Sequence, residues 1–546
     1  MEGSELVALV FRPLSQAGWQ YGARRVDLCA EKPANTIAVP PQIRERTEIM
    51  MESSRRGFLK GASATAAALA VTKGLPALAE AAAASGPVQV WSTFDDRRHA
   101  AGPALSWRPA SELASGAIVL NPGATRQEVL GFGAAFTDAS CWVLSQIPEE
   151  QRAGLMNELF SPDEMALNVC RTCTGSSDYS RSVYSFDEGD DPDPELKRFS
   201  IDHDKAYILP TLKAARKLNP ELFLFSSPWS PPAWMKFNNS MLGGTIRKTT
   251  LEPYSRYIKM FLDAYQAEGV EINAITVQNE VDTTVDGRYP ACLWAQEDEI
   301  LFVRQYLGPL LRKSGSSTKI WVLDHNFNLW GRAIGELSNP ELYEYVDGVA
   351  WHGYAGDPTG MTQVHNAFPE KNAYFTEGGP SHGPGAPRTD PMANWADWGE
   401  WANSVMRNWA KSITVWNLAL DEHGTPYIGR RDPEYHYVPR TGAGAGVITV
   451  WNDTHKVERS GRFWAIAHYS KHVRRGAKVF QTDSLGDSAA QTSKSKVSHV
   501  GFRNPDGSFV AVLTNTGQQT RTQLVVGTSA VDLDLAADSV YTLQWS

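Results

Sequence analysis

An α/β fold, a (β/α)8 barrel carrying an antiparallel β-sandwich, is the class that this 546-residue sequence predicts. Two observations predict it. Between about residues 126 and 473, short apolar runs alternate with amphipathic stretches, and the unit repeats eight times, as parallel strands with crossover helices require. From about residue 474 the pattern changes to period-two runs separated by turns, the mark of antiparallel strands.

The eight runs are Gly131–Phe136, Leu167–Arg171, Leu222–Ser226, Ile272–Gln278, Lys319–Leu323, Gly348–His352, Ala373–Phe375 and Ile413–Asn417. Between them Pro148–Phe160, Lys205–Leu218, Pro253–Glu268, Glu297–Lys313 and Asn394–Trp409 place Leu, Ile and Phe at i, i+3, i+4 spacing, which predicts helices. A doubly wound open sheet is the competing arrangement, but no Gly-rich phosphate fingerprint follows any strand. Val497–Phe502, Ser508–Leu513, Arg521–Val526 and Ser539–Gln544 predict the sandwich. Val88–Thr93 and Ala117–Leu120 read as further strands of that sandwich, tying the two ends of the chain together. The expected divisions are 86–125 for the N-terminal sandwich strands, 126–473 for the barrel and 474–546 for the rest of the sandwich.

A net charge of −9 argues against nucleic acid as a partner, because phosphate binding needs a cationic surplus. Five cysteines make no disulfide framework. Cys170 and Cys173 lie three apart on an expected strand, hence on opposite faces, and no second pair or nearby His pair completes a metal site. No cofactor or metal is called for. The 18 tryptophans suit sugar stacking and core packing alike.

Ser54-Arg-Arg-Gly-Phe-Leu-Lys60, a short apolar stretch to Thr72 and Ala77-Leu-Ala79 together form an export signal of twin-arginine type. Residues 51–80 are therefore expected to be the signal, with Met50 or Met51 the initiator and 1–50 an upstream extension. The expected location is periplasmic or secreted, in a bacterium. The apolar stretch is too short to span a bilayer, so no stable membrane insertion is expected.

Catalytic groups of a barrel project from the C-terminal ends of its strands. The fourth run ends Thr276-Val-Gln-Asn-Glu280 and the seventh ends Tyr374-Phe-Thr-Glu377-Gly-Gly379. Strands four and seven stand nearly across the mouth, so the two glutamates can converge. A carboxylate pair is what glycoside cleavage requires, one member protonating the departing oxygen and the other acting at the anomeric carbon.

At these residues the chain resembles glycoside hydrolase family 30, in its glucosylceramidase (acid β-glucosidase) branch. The resemblance rests on Gly131-Phe-Gly-Ala-Ala-Phe-Thr-Asp138, Ser227-Pro-Trp-Ser-Pro-Pro-Ala-Trp234-Met-Lys236, Gln278-Asn-Glu280, Gly287-Arg-Tyr-Pro290, Phe375-Thr-Glu377 and Thr414-Val-Trp-Asn-Leu-Ala-Leu420. It implies a retaining, glucosylceramidase-like β-glycosidase acting on β-glucosides, with glucosylceramide-type glycolipids as the first expectation and a β-glucan as the rival substrate; the signal pattern adds that it is exported. Glu280 is then the acid/base, its pKa raised so that it keeps its proton, and Glu377 the nucleophile. Asp138, Trp229, Asn279, Tyr289, His352, Tyr354 and Trp416 are implied substrate-binding residues, with Asn279 on the sugar 2-hydroxyl. Arg171 and Asn326 are implied supports. For Asp138 a helix N-cap is the alternative reading.

Three departures concern the rim. Gly353 stands where lysosomal-type enzymes carry tryptophan, Val281 replaces a proline, and Gly378-Gly379 replaces a bulkier pair. They put the ceramide preference in doubt and suggest a more open rim that could admit a polysaccharide. Endo-β-1,6-glucanase and β-xylosidase activities stay open within the family, and a catalytically inactive sugar-binding protein is the alternative outside it.

Overall fold

The structure is a computed structural model that describes residues 86–110, 113–114, 116–380, 390–429, 446–484 and 497–546. The expected extension and export signal lie outside the described residues.

Eight parallel strands close a barrel in sequence order. They are Gly131–Phe136, Val169–Cys173, Phe223–Ser227, Ala274–Thr276, Lys319–Asn326, Val346–His352, Asn372–Glu377 and Ala410–Val415, one for each predicted run. Val169, Phe225, Ala274, Trp321, Ala350 and Tyr374, from strands two to seven, form one buried apolar cluster, with Trp321 stacked on Tyr374 at 3.9 Å. Side chains two residues apart on a strand share a face. The layer above this plug, towards the C-terminal ends, is therefore Arg171, Ser227, Thr276, His352 and Thr376. Period two turns an apolar plug into a polar floor.

Outside the barrel, the helix Leu251–Ala267 buries Leu251, Tyr254, Ile258, Phe261 and Tyr265 on one stripe, as the periodicity requires. The expected helix 297–313 is instead Gln296–Phe302 and Gly308–Lys313 joined by a π-turn at Val303–Leu307. Pro309 supplies the reason. It has no N–H to donate and its ring crowds the preceding turn, so the hydrogen-bond ladder is re-spaced there.

The terminal strands form one ten-stranded sheet. Gln89–Phe94 pairs antiparallel with Ser539–Trp545, so the N-terminal segment and the C-terminus do share this sheet. One pairing departs from the antiparallel expectation. Ile118–Glu128 runs parallel to Thr520–Val526, because it enters the sheet from the far end of the chain and not through a hairpin. Ser529–Leu535 and Lys478–Ser484 add strands that the period-two reading did not pick out. The sheet docks on the barrel through the helices Trp395–Arg407 and Gly461–Ser470. Trp395 Nε1 donates to the Asp538 carbonyl at 2.6 Å, and His468 lies within 2.9 Å of both Thr93 and Thr542 hydroxyls.

This junction and the sheet hold neutral histidines. Burial drives His472 down to about 4 and His499 down to about 3, and lowers His468 as well. The unfolded chain, with histidine near 6.5, binds more protons below that pH than the folded one, so stability falls as the pH drops. The unfolding free energy is expected to decline between pH 6.5 and 5, by up to about 1.4 kcal/mol per pH unit for each such histidine. Denaturant titrations across that interval measure it, and a flat profile would contradict the neutral-histidine account.

Candidate active site

The polar floor is organised around Arg171, which is fully buried. Its guanidinium donates to Asp324 Oδ2 at 2.8 Å, Asn279 Oδ1 at 2.7 Å and Ser227 Oγ at 3.1 Å, and bonds Glu377 Oε2. Asp324 is equally buried. Its Oδ2 also accepts from Ser227 at 2.8 Å and Thr276 at 2.7 Å, while Oδ1 accepts from Thr376 at 2.7 Å and meets His352 Nε2 at 3.0 Å. Six strands are knitted by these two opposite charges. Coulomb attraction to Arg171 and His352, with the hydrogen bonds, overcomes burial and holds the Asp324 carboxyl far below the usual range.

Above this floor stand the two glutamates. Glu377 ends strand seven with Oε2 on Arg171 and Oε1 accepting from the Tyr354 hydroxyl at 2.8 Å. Glu280 follows strand four with a positive φ of 53°, its N–H donating to the Asp324 carbonyl at 3.0 Å. The His352 ring serves both: Nδ1 is 3.4 Å from Glu280 Oε1 and Nε2 is 4.0 Å from Glu377 Oε2. The carboxylates therefore meet around one imidazole.

The two acids titrate as a pair. Burial, then the charge of Glu280, pushes Glu377 up against the opposing His352 and Arg171 cations. Burial acts on Glu280 as well, but the His352 bond and the charges of His325, His352 and Arg171 bring it below its ordinary value. The sequence reading expects the raised pKa on Glu280; in the structure it falls on Glu377. Two flanking imidazoles make the difference, and His325 was not anticipated. His352 itself is raised to about 9: burial disfavours its charge, but Glu377 and Asp324 outweigh burial.

Trp229 and Trp416 stack at 5.1 Å and line the side, with the Arg171 guanidinium 4.6 and 5.4 Å from their ring centres. Tyr289 packs on this aromatic cluster, and its hydroxyl pKa is raised by burial and then by Glu280. Asn326 supports a loop of the site. Its Oδ1 accepts from the N–H groups of Tyr354 at 2.9 Å and Ala355 at 3.2 Å, bracketing the loop that carries Tyr354.

Asp138 opens the first helix after strand one. Its oxygens accept from the Tyr207 hydroxyl at 2.8 Å and the Arg181 N–H at 3.0 Å, beside His203 at 3.5 Å, and none of these partners bonds either glutamate. The N-cap of its helix is Thr137. Each oxygen accepts one of these bonds and keeps a second lone pair, so Asp138 braces the first helix and can still accept from a hydroxyl. Asp178 is a further carboxyl within electrostatic reach of both glutamates. Its Oδ1 is buried with no hydrogen-bond partner, and its pKa is raised by burial and then by the charges of Glu377 and Glu280.

The rim glycines also read differently in three dimensions. A Cβ on Gly378 (φ 103°) would lie 2.7 Å from the Gly353 nitrogen, and one on Gly379 would lie 2.1 Å from the Trp398 ring. These glycines permit close backbone packing, so they do not by themselves report an open rim. Cys170 and Cys173 are free and buried, and burial pushes the Cys170 thiol up to about 12. One trio, Glu280, His325 and His352, brings three metal-capable atoms within 4.8 Å of one another.

Comparison with known proteins agrees with this architecture. The model of the glycosyl hydrolase family 30 TIM-barrel domain matches residues 129–473, and that of the family 30 beta sandwich domain matches 482–543. The chain belongs to glycosyl hydrolase family 30. It is a retaining O-glycoside hydrolase whose substrate is a carbohydrate. It is 32% identical over 410 residues to an endo-1,6-β-D-glucanase of Neurospora crassa, covering 72% of this chain and 80% of that one. It is 27% identical over 425 residues to the lysosomal acid glucosylceramidase of Mus musculus, covering 74% and 78%. SrfJ from Salmonella typhimurium superposes with a TM-score of 0.75 at 26% identity over 84% of this chain and 99% of that one. A solved endo-β1,6-glucanase does so with 0.72 at 26% identity over 85% and 99%. No helix among the described residues is long and apolar enough to cross a membrane.

Tyr354→Phe removes one hydrogen bond from Glu377, and a bond to a charged group contributes about 1.5–3 kcal/mol. The variant is expected to lose about 10–100-fold in kcat, with little change in Tm because Tyr354 is 43% exposed. Steady-state kinetics alongside thermal melts check both, and an unchanged kcat would remove the bond from the reaction.

Proposed function

We propose that this family 30 enzyme cleaves β-1,6-linked glucan, with Glu377 as nucleophile and Glu280 as acid/base. The observation that carries the assignment is the unequal grip on the two carboxyls. Glu377 is clasped on both oxygens, by Arg171 and Tyr354, which suits a group that must attack in one fixed direction. Glu280 faces two histidines instead, which suits a group that exchanges protons.

Burial and the charge of Glu280 raise the Glu377 carboxyl, while the flanking imidazoles lower Glu280. A sugar bound against Glu377 develops positive charge at its anomeric carbon, and that charge favours the anion there. The proton then belongs on Glu280, with the His352 ring between the two acids as the path. Attack by Glu377 forms the glycosyl-enzyme while Glu280 protonates the leaving oxygen. With Glu377 esterified and neutral, Glu280 deprotonates the incoming water. Asn279, its oxygen engaged by Arg171, has its amide N–H groups available to the 2-hydroxyl. Trp229 and Trp416 stack on the ring, and Asp138 takes outer hydroxyls together with Asp178, which offers an unpartnered oxygen.

The glucan is favoured over a glycolipid by similarity to enzymes named endo-1,6-β-glucanases, both curated and solved. Glucosylceramide is the second reading, supported by the similarity to the mouse glucosylceramidase. Export rests on the pattern Ser54–Lys60 alone.

Two measurements test the proposal. Glu280→Ala is expected to retain activity on aryl β-glucosides with very good leaving groups, which need no proton, and to lose at least about 100-fold on poor ones; equal losses would argue against the acid role. Gentio-oligosaccharides are expected to be cleaved faster than glucosylceramide in detergent, with the β-anomer appearing first by NMR. The α-anomer first would refute retention, and preferential lipid cleavage would move the substrate to the second reading.

A further inference from the structure

We propose that Glu280, His325 and His352 form a binding site for one divalent transition-metal ion of the Zn2+ type, which inhibits the enzyme. The proposal rests on the acid/base reading of Glu280, since the ion would occupy that carboxylate.

Glu280 Oε1 lies 3.4 Å from His352 Nδ1 and 3.7 Å from His325 Nδ1, and all three donor atoms are within 4.8 Å of one another. Ligand atoms bonded at about 2.0–2.2 Å to one tetrahedral ion stand about 3.3 Å apart. Two separations already approach that value, and the third needs only a modest ring movement. His2Glu with a fourth position open to the cleft is a donor set that zinc accepts.

The far side of each histidine is also arranged for it. His325 Nε2 is 2.5 Å from Asp282 Oδ1, and His352 Nε2 is 3.0 Å from Asp324 Oδ1. A carboxylate behind each imidazole keeps the proton on Nε2 and turns the Nδ1 lone pair inwards, the support that metal-bound histidines usually have. An independent sign is His325 Nδ1 itself. Its side chain is only 6% exposed, yet this nitrogen makes no hydrogen bond and is aimed at Glu280. The ion would take the place of the proton between His352 and Glu280, releasing it to solvent. The metal-free protein is then the active form.

The test uses the full chain and Co2+, whose visible absorption intensifies in a four-coordinate site. One equivalent of Co2+ is expected to give that band and Zn2+ to abolish it. His325→Gln is expected to raise the Co2+ dissociation constant at least about tenfold, and Asp282→Asn, which removes only the support behind His325, about 10–100-fold. Zn2+ should inhibit aryl β-glucoside hydrolysis, and EDTA should restore it. No band in the wild type, or unchanged affinity in both variants, would overturn the site. Binding without inhibition would leave the metal site standing and overturn the acid/base role of Glu280.

Discussion

A guanidinium without access to water lies at the centre of the barrel mouth, and the surrounding side chains are placed as its burial demands. Taking such a charge out of water costs several kcal/mol unless it is paired and hydrogen-bonded. Arg171 obtains that compensation from Asp324, Glu377, Asn279 and Ser227, which arrive from four other strands or their ends. Asp324 needs the same treatment and draws Thr276, Thr376 and His352 towards it. The direction of Glu377 is thus set by a network that is complete before any sugar arrives. Such preorganisation is where much of the catalytic effect of an electrostatic site originates.

The same network explains where charge and proton sit. Arg171 and the protonated His352 lie among Asp324, Glu280 and Glu377, so cations and carboxylates are closely interleaved. A site so balanced is sensitive to any added charge, whether an oxocarbenium-like carbon or a metal ion. None of the active-site residues described above comes from the ten-stranded sheet. It covers the helices Trp395–Arg407 and Gly461–Ser470, which flank strands eight and one of the barrel.

All eight barrel strands were legible in the chain because each is a short apolar run bounded by polar breaks, as strands buried on both sides are. Glu280 and Glu377 were legible for a related reason: a carboxylate directly after such a run has to emerge at the mouth. Asp324 and His325 were hidden. At the end of strand five the register skips a residue, pairing Ala350 with Leu323 and Trp351 with His325. Leu323 and Asp324 take positive φ there, and an irregularity of this kind re-aims side chains against the alternation that sequence reading assumes. Asp178 was hidden because it sits on an irregular loop after strand two, where no period applies.

Local pattern by itself determined the barrel, the shared terminal sheet and the two opposed glutamates, since hydrophobic periodicity is written residue by residue. Only tertiary structure decided which partners surround Asp138 and Asp178, which of the two acids is raised, and why glycines stand at positions 378 and 379. Each of those depends on the distance between groups far apart in the chain. Electrostatic and steric energies vary with such distances, and spacing along the backbone does not encode them.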